Sequence, residues 1–374
     1  MRIGINLLYL LPGVVGGTQT YATSLINSLV DQYPDDEFVV YLNKIAYRQL
    51  ATLDLPDTPR LLAVETEVSG DRRELRYAYE QFRLPQLAAS HRLEVLHSMG
   101  YVGPLRTQMP HVVTVHDLIY VGFRDHMPWL RRAALQLFVR GTVRSAARTI
   151  TVSQASRSQI EADIPAAKNK ITVVHEAGRE VPPGWRPDAS VPGHYGINSP
   201  YLMAFGSPSA SKNIPRLVNA FGQIATQVPH SLVLVGHLAE SSAITNQIRS
   251  LGLQDRIITT GYIPDEHVMS LLGCSDAFCF PSLYEGFGLP ILDAQSVGVP
   301  VASSNAASLP EIAGDGAMFF NPTSVNSMAR ALIEVLTNET VRTTLVEKGV
   351  ANSAEFSWNM AAQQTHRVYE EVAG

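Results

Sequence analysis

The chain has 374 residues, 45% of them apolar and 17% charged, with a formal net charge of −5. That length exceeds what one ordinary core organises, so two domains are expected, and the acidic balance argues against a nucleic-acid partner. Charge is uneven: residues 1–180 carry 20 Lys+Arg against 18 Asp+Glu, and residues 181–374 carry 9 against 16. The two cysteines, Cys274 and Cys279, lie in one apolar run and read as small core residues rather than a disulfide or zinc framework. The opening run "MRIGINLLYLLPGVVGG" is broken early by Asn6, Pro12 and Gly13 and lacks a cleavage pattern, so neither a leader nor a membrane span is expected. A cytoplasmic location is the expectation.

In chain order, apolar strand-like runs fall at 2–10, 37–42, 60–65, 94–99, 111–117, 148–153 and 170–177. Helical patterns separate them, as at 18–34 and 129–147, and this alternation predicts βαβ units and a parallel sheet. Residues 181–200 hold five prolines and three glycines, a composition that reads as a linker. Strand runs resume at 201–206, 231–236, 256–263, 276–282, 299–304 and 317–322. The expected fold is therefore α/β: two Rossmann-like domains facing across a cleft. The first spans 1–185 and the second 186–355; a final helix over 356–374, with Ser357 as its N-cap, is expected to cross back to the first.

Ligands of open α/β sheets bind beyond the carboxyl ends of the strands, so the residues there matter most. After the first strand come Gly13, Gly16 and Gly17, opening a helix; the backbone can approach a phosphate or sugar closely there, or simply turn. This is not the G-x-G-x-x-G dinucleotide pattern. His116 and Asp117 end the fifth strand, and His97 ends the fourth, where a capping role competes with an acceptor-side role. In the second half, Ser207 begins a Ser-rich turn through Ser211 to Lys212, just before a helix. A cation is disfavoured at a helix N-terminus unless an anion, such as a diphosphate, joins it; a solvated surface lysine is the plain alternative.

The densest motif is "PSLYEGFGLPILDAQSVGVP" (281–300). Glu285 falls in a turn with Gly286, Phe287 and Gly288; Pro290 is placed as the first residue of a helix, with Asp293 in its first turn or just beyond. Carboxylates accept from vicinal sugar hydroxyls, while glycine amides accommodate phosphate. A plain helix-terminus acid accounts for Asp293 but leaves Glu285 between its glycines unexplained.

With these pieces placed, the chain resembles the retaining glycosyltransferases of the GT-B fold, family four or group 1. The likeness spans most of the chain and is strongest over Gly261–Pro322, with "TVHDL", "VSQASRSQI" and "SKNIPRLVNAF" in support. It implies a hexosyltransferase that takes a nucleotide-diphosphate sugar, UDP-glucose (or another UDP-hexose) or GDP-mannose, in the second domain. The acceptor in the first would be a glycan or a lipid-linked glycan of polysaccharide or cell-envelope synthesis.

Residue by residue, the resemblance implies that Glu285 approaches the donor sugar, with Gly286–Leu289 beside the sugar and phosphate. Asp293 takes the place of the acid that holds the ribose, and Lys212 of the diphosphate lysine. Gly16 and Gly17 match the glycine loop, and His116 the active-site histidine. Base contacts are expected near Tyr262 and Ile263, with Ser207 also on the donor; from their place after the strands, Asp117 and His97 are weaker acceptor-side candidates, with capping the competing role for His97.

The second acid here is Asp rather than Glu, and the usual arginine positions read Ser207 and Ser211. Diphosphate neutralisation then rests on Lys212, helix dipoles and amides. No D-x-D motif is in place, so no metal and no cofactor is expected. Residues 124–148 hold six Arg and one Asp among apolar side chains, a candidate peripheral contact with the inner face of an anionic membrane, or an ordinary solvated helix. Rival readings are a sugar-nucleotide epimerase of the same shape and a sugar-nucleotide-binding protein without transferase activity.

Overall fold

A computed structural model describes residues 1–13, 16–122, 128–198, 200–236, 238 and 242–374. The chain divides into two compact units, Met1–Glu176 with Ser357–Gly374, and Ala177–Phe356. Each is built on one wholly parallel sheet.

The first unit runs β1 (Arg2–Leu7), α1 (Gly17–Gln32), β2 (Glu37–Leu42), α2 (Lys44–Arg48), β3 (Leu61–Glu65), α3 (Arg73–Phe82), α4 (Leu84–Ser90) and β4 (Val95–Ser98). It continues through β5 (His111–Thr114), α5 (Ile119–Gly122), α6 (Trp129–Ser145), β6 (Arg148–Thr151), α7 (Gln154–Asp163) and β7 (Ile171–Val173). Its strand order is β3-β2-β1-β4-β5-β6-β7. The order reverses between β1 and β4, where Tyr9, after β1, packs directly on Gly100, after β4.

The second unit runs α8 (Val191–His194), β8 (Tyr201–Phe205), α9 (Ile214–Ile224), β9 (Ser231–Val235), α10 (Ser242–Ser250), β10 (Ile257–Gly261), α11 (Asp265–Gly273) and β11 (Ala277–Phe280). Then come α12 (Leu289–Ser296), β12 (Val301–Ser304), α13 (Leu309–Ala313), β13 (Ala317–Phe320), α14 (Val325–Thr337) and α15 (Glu339–Ser353). The order is β10-β9-β8-β11-β12-β13, and its reversal lies between β8 and β11. Buried apolar clusters cover both faces of this sheet, which is why its strands are apolar on both sides rather than alternating. Cys279 lies in that core, where burial pushes its thiol up; Cys274 is partly exposed.

The last helix, α16 (Trp358–Ala373), belongs to the first unit and packs on α1. Ser357 caps it by accepting from the Met360 amide at 3.1 Å. Its inward face, Trp358, Ala361, Ala362, Thr365, Val368 and Tyr369, repeats at helical spacing.

All thirteen strands fall inside the runs read from the sequence. The segment 181–200 is a correction. It is not a bare linker but part of the second unit, because its prolines hold an apolar surface in place. Trp185 and Pro187 pack so tightly on Gly273 that a Cβ there would lie 3.1 Å from each. Tyr195 pairs its hydroxyl with His267 Nδ1 at 2.7 Å. No helix among the described residues is long and apolar enough to cross a membrane.

Candidate active site

In the second unit, the loops after β8 and β11 meet at the point where the strand order reverses. The Leu283 amide donates to the Ser211 carbonyl at 2.7 Å, which ties the two loops together. Ser211 is buried, its hydroxyl 2.9 Å from that of Ser209, and the Ser209 amide donates to Ser207 Oγ at 3.2 Å. The turn Ala210–Lys212 ends at Asn213, which takes a left-handed conformation (φ 60°) that Asn tolerates better than most residues. Asn213 Nδ2 donates to the carbonyls of Pro281 (2.9 Å) and Pro322 (2.8 Å), so the turn that carries Lys212 is anchored to two further strand ends.

Lys212 Nζ donates to Glu285 Oε1 at 2.7 Å and stands 5.6 Å from the centre of the Phe280 ring. Lys212 is therefore not a freely solvated lysine: its anionic partner is Glu285. The pair is only partly shielded, with side-chain exposures of 34% and 16%. Exposed ion pairs of this kind contribute about 0–1 kcal/mol, so a ligand can replace either partner at little cost.

The Glu285 turn is held from beneath by Ser308, whose hydroxyl lies 3.0 Å from the Glu285 carbonyl and 2.6 Å from that of Phe287. Gly288 caps α12 with φ 130°, a conformation that a side chain resists, and a Cβ there would meet Leu309 at 3.0 Å. The first turn of α12 therefore starts directly beyond Glu285. Tyr262 is exposed after β10 and Ile263 is buried.

Asp293 is placed differently from Glu285. It is 2% exposed, and both oxygens are engaged by Arg179: the backbone amide on Oδ1 at 2.7 Å and Nη1 on Oδ2. Burial pushes its carboxyl above the ordinary value, and the guanidinium pulls against that. Arg179 Nη2 also lies 3.9 Å from Asp265 Oδ1, so one cation joins the starts of α11 and α12. The two acids of the motif are thus each matched to a separate base. Arg179 escaped the sequence reading because it lies 114 residues from its partner in a stretch without periodicity.

In the first unit, His116 is buried, with Nδ1 3.0 Å from Glu176 Oε1 and Nε2 3.2 Å from the Met99 carbonyl. Both neighbours are acceptors, so the ring can donate from either nitrogen. Tyr21 packs edge-on at 4.6 Å between ring centres. Asp117 accepts from the Ile119 amide at 3.0 Å and from the Tyr101 hydroxyl at 3.3 Å, opening α5. His97 is enclosed: Nδ1 meets the Tyr369 hydroxyl at 2.7 Å and Nε2 the Thr114 hydroxyl at 2.8 Å. Burial lowers its pKa to about 3, so it is a neutral strut between the sheet and α16. Gly16, with φ 52°, caps α1 and is exposed, as is Gly17; Val14 and Val15 lie outside the described residues, as do 124–127 of the basic stretch.

Comparison with known proteins agrees with this geometry. Residues 196–351 match the family model for glycosyl transferases group 1, and residues 15–177 match that for Glycosyltransferase Family 4. O-antigen chain mannosyltransferase B of Escherichia coli is 30% identical over 282 residues, covering 74% of each chain. The MMP alpha-(1->4)-mannosyltransferase of Mycolicibacterium hassiacum is 30% identical over 227 residues, 60% of this chain and 54% of that one. Among solved structures, sucrose-phosphate synthase from Thermosynechococcus elongatus superposes with a TM-score of 0.79 at 18% identity, covering 99% of this chain and 98% of that one. HepE of Anabaena in complex with UDP-glucose gives 0.73 at 19%, covering 99% and 100%. The two sheets, their strand orders and these likenesses together place the chain in the GT-B fold, and it belongs to the group 1, family-four glycosyltransferases.

Proposed function

We propose that the protein is a retaining, metal-independent hexosyltransferase that takes a nucleotide-diphosphate sugar and glycosylates a glycan or lipid-linked glycan in polysaccharide synthesis. The observation that carries the reading is the Lys212–Glu285 pair at the strand-order reversal, beside the glycine-capped start of α12. GDP-mannose is the first donor candidate, because the relatives at 30% identity are named mannosyltransferases. UDP-glucose is the second, because HepE, which shares the fold, holds it.

In this reading the donor diphosphate takes Lys212 from Glu285, and the freed carboxylate accepts from sugar hydroxyls. The bond from the anomeric carbon to the β-phosphate oxygen breaks, and the acceptor oxygen bonds to the same face. The acceptor proton passes to the departing phosphate. Charge develops on that phosphate, so the fixed Lys212 ammonium and the α12 amides are the main source of rate.

The test is thermal unfolding with GDP, UDP, GDP-mannose and UDP-glucose, with and without chelator. At about a hundred times its dissociation constant a ligand adds about 2.7 kcal/mol. A shift for one nucleoside diphosphate, unmoved by chelator and lost in Lys212→Ala, is the expected result. The anomeric configuration of the product, read by NMR, tests retention. No shift with any nucleotide removes the donor site, and donor consumed without any acceptor points to the epimerase.

A further inference from the structure

Helix α3 is turned inside out. Its charged residues Arg76 and Glu80 face inward, 8% and 1% exposed, while Leu75 and Phe82 face outward at 56% and 71%. Leu75, Ala78 and Phe82 fall on one exposed stripe at helical spacing. Helix α6 has the same anomaly: Trp129, Leu130 and Leu137 are 72%, 65% and 71% exposed, with Ala133 exposed between them.

The two helices are neighbours. The Tyr77 and Phe138 rings pack at 4.9 Å between centres, tilted by 40°. The loop between β4 and β5 joins them, because Gln81 exchanges hydrogen bonds with Gly103 and Leu105, and Gly103 with Thr142. Leu105, itself 39% exposed, lies against Gly141 of α6. Of the eleven large apolar side chains left exposed among the described residues, six belong to this one neighbourhood. Scattered exposed apolar residues need no explanation, but a contiguous set does.

Charge identifies the occupant. Residues 72–83 and 129–144 contain eight arginines and two glutamates, a net +6 in a chain whose total is −5. One of those glutamates is the buried Glu80, and Arg72, Arg73, Arg83, Arg131 and Arg144 are exposed. A second copy of this face would bring +6 against +6. Apolar side chains ringed by arginines, with a tryptophan among them, suit the boundary between acyl chains and anionic headgroups.

We propose that α3, α6 and the Leu105 loop form a docking face for an anionic phospholipid surface, with Leu75, Phe82, Trp129 and Leu137 entering the headgroup layer. The face takes in the described part of the basic stretch, residues 128–148, and adds a second helix that the sequence did not mark. It lies in the first unit and the candidate donor site in the second, and vesicle binding needs no donor, so its failure is separable from failure of the transferase reading.

The experiment is co-sedimentation of the full chain with vesicles of phosphatidylcholine alone and with about one-third phosphatidylglycerol, at low salt and at about 0.5 M salt. Binding is expected only with the anionic lipid and is expected to fall steeply with salt. The variant Leu75→Gln/Phe82→Gln/Trp129→Gln, exposed at every changed site, is expected to bind at least about tenfold more weakly with unchanged thermal unfolding. Arg131→Ala/Arg144→Ala is expected to lose the lipid-charge dependence. No binding to anionic vesicles at low salt overturns the proposal, as does equal binding by the apolar variant. A dimer in sedimentation equilibrium that the same variant dissociates also overturns it, assigning the face to a second copy.

Discussion

Glu80 offers the most quantitative test of the first unit. Its carboxyl is buried on α3, with Oε1 3.4 Å from Asn6 Nδ2 and 3.9 Å from Arg76 Nε, and Oε2 makes no hydrogen bond. Burial raises its pKa from 4.5 to about 7, against the opposing pull of Arg76. A carboxyl with a raised folded pKa contributes its full stability below about 4.5, where both states hold the proton. Between about 4.5 and about 7 only the folded state keeps it, so stability falls as pH rises. At about 1.4 kcal/mol per pH unit the loss is about 3 kcal/mol. Glu80→Gln cannot titrate. The unfolding free energy of the variant relative to the parent, from urea titrations at pH about 4.5 to about 8, is therefore expected to climb by about 3 kcal/mol. Taking the difference removes the other titrating groups, among them His97 and His111, whose pKa values burial lowers to about 3. The offset between the two proteins depends on how the amide settles beside Arg76; the climb does not. A difference that stays flat across this range would refute the reasoning.

Other outcomes follow from the same structure. Lys212→Ala is expected to lower kcat by about 10²–10³-fold, with Lys212→Arg restoring part of it, and to leave thermal unfolding almost unchanged because the pair is partly exposed; a large stability loss would make the pair structural. Arg179→Ala leaves the buried Asp293 without its cation and is expected to cost about 2–3 kcal/mol, discounted for the exposure of Arg179. Asp293→Asn is expected to cost less, and equal losses in urea titrations would count against the pairing. His97→Gln is expected to flatten the acid limb of stability, because the folded ring stays neutral while the unfolded one protonates below its ordinary value of 6.5; an unchanged limb would contradict its burial as a neutral group. Gly288→Ala forces a side chain into φ 130° and toward Leu309, with about 1–3 kcal/mol of strain and a raised donor KM expected; a neutral effect on both would mean the turn relaxes.

Much of this was legible in the chain. Thirteen apolar runs of strand length, each followed by a helix or a turn, suffice for two parallel sheets, because strand burial on both faces writes itself as uninterrupted hydrophobicity. The carboxyl-end rule then picked out Lys212 and Glu285 from local order alone, since both stand directly after strands that flank the reversal. Glycine and proline marked the Gly288–Pro290 helix start for the same local reason: backbone conformation is set by the residue itself. What the tertiary structure alone decided is pairing and facing. Glu285 meets Lys212 from 73 residues away, and Arg179 covers Asp293 from 114 residues away. The stripe Leu75–Ala78–Phe82 is visible as periodicity, yet periodicity does not say which side of a helix turns inward. That depends on neighbours brought in from distant segments, and here they enclose Arg76 and Glu80 and leave the apolar side to the outside.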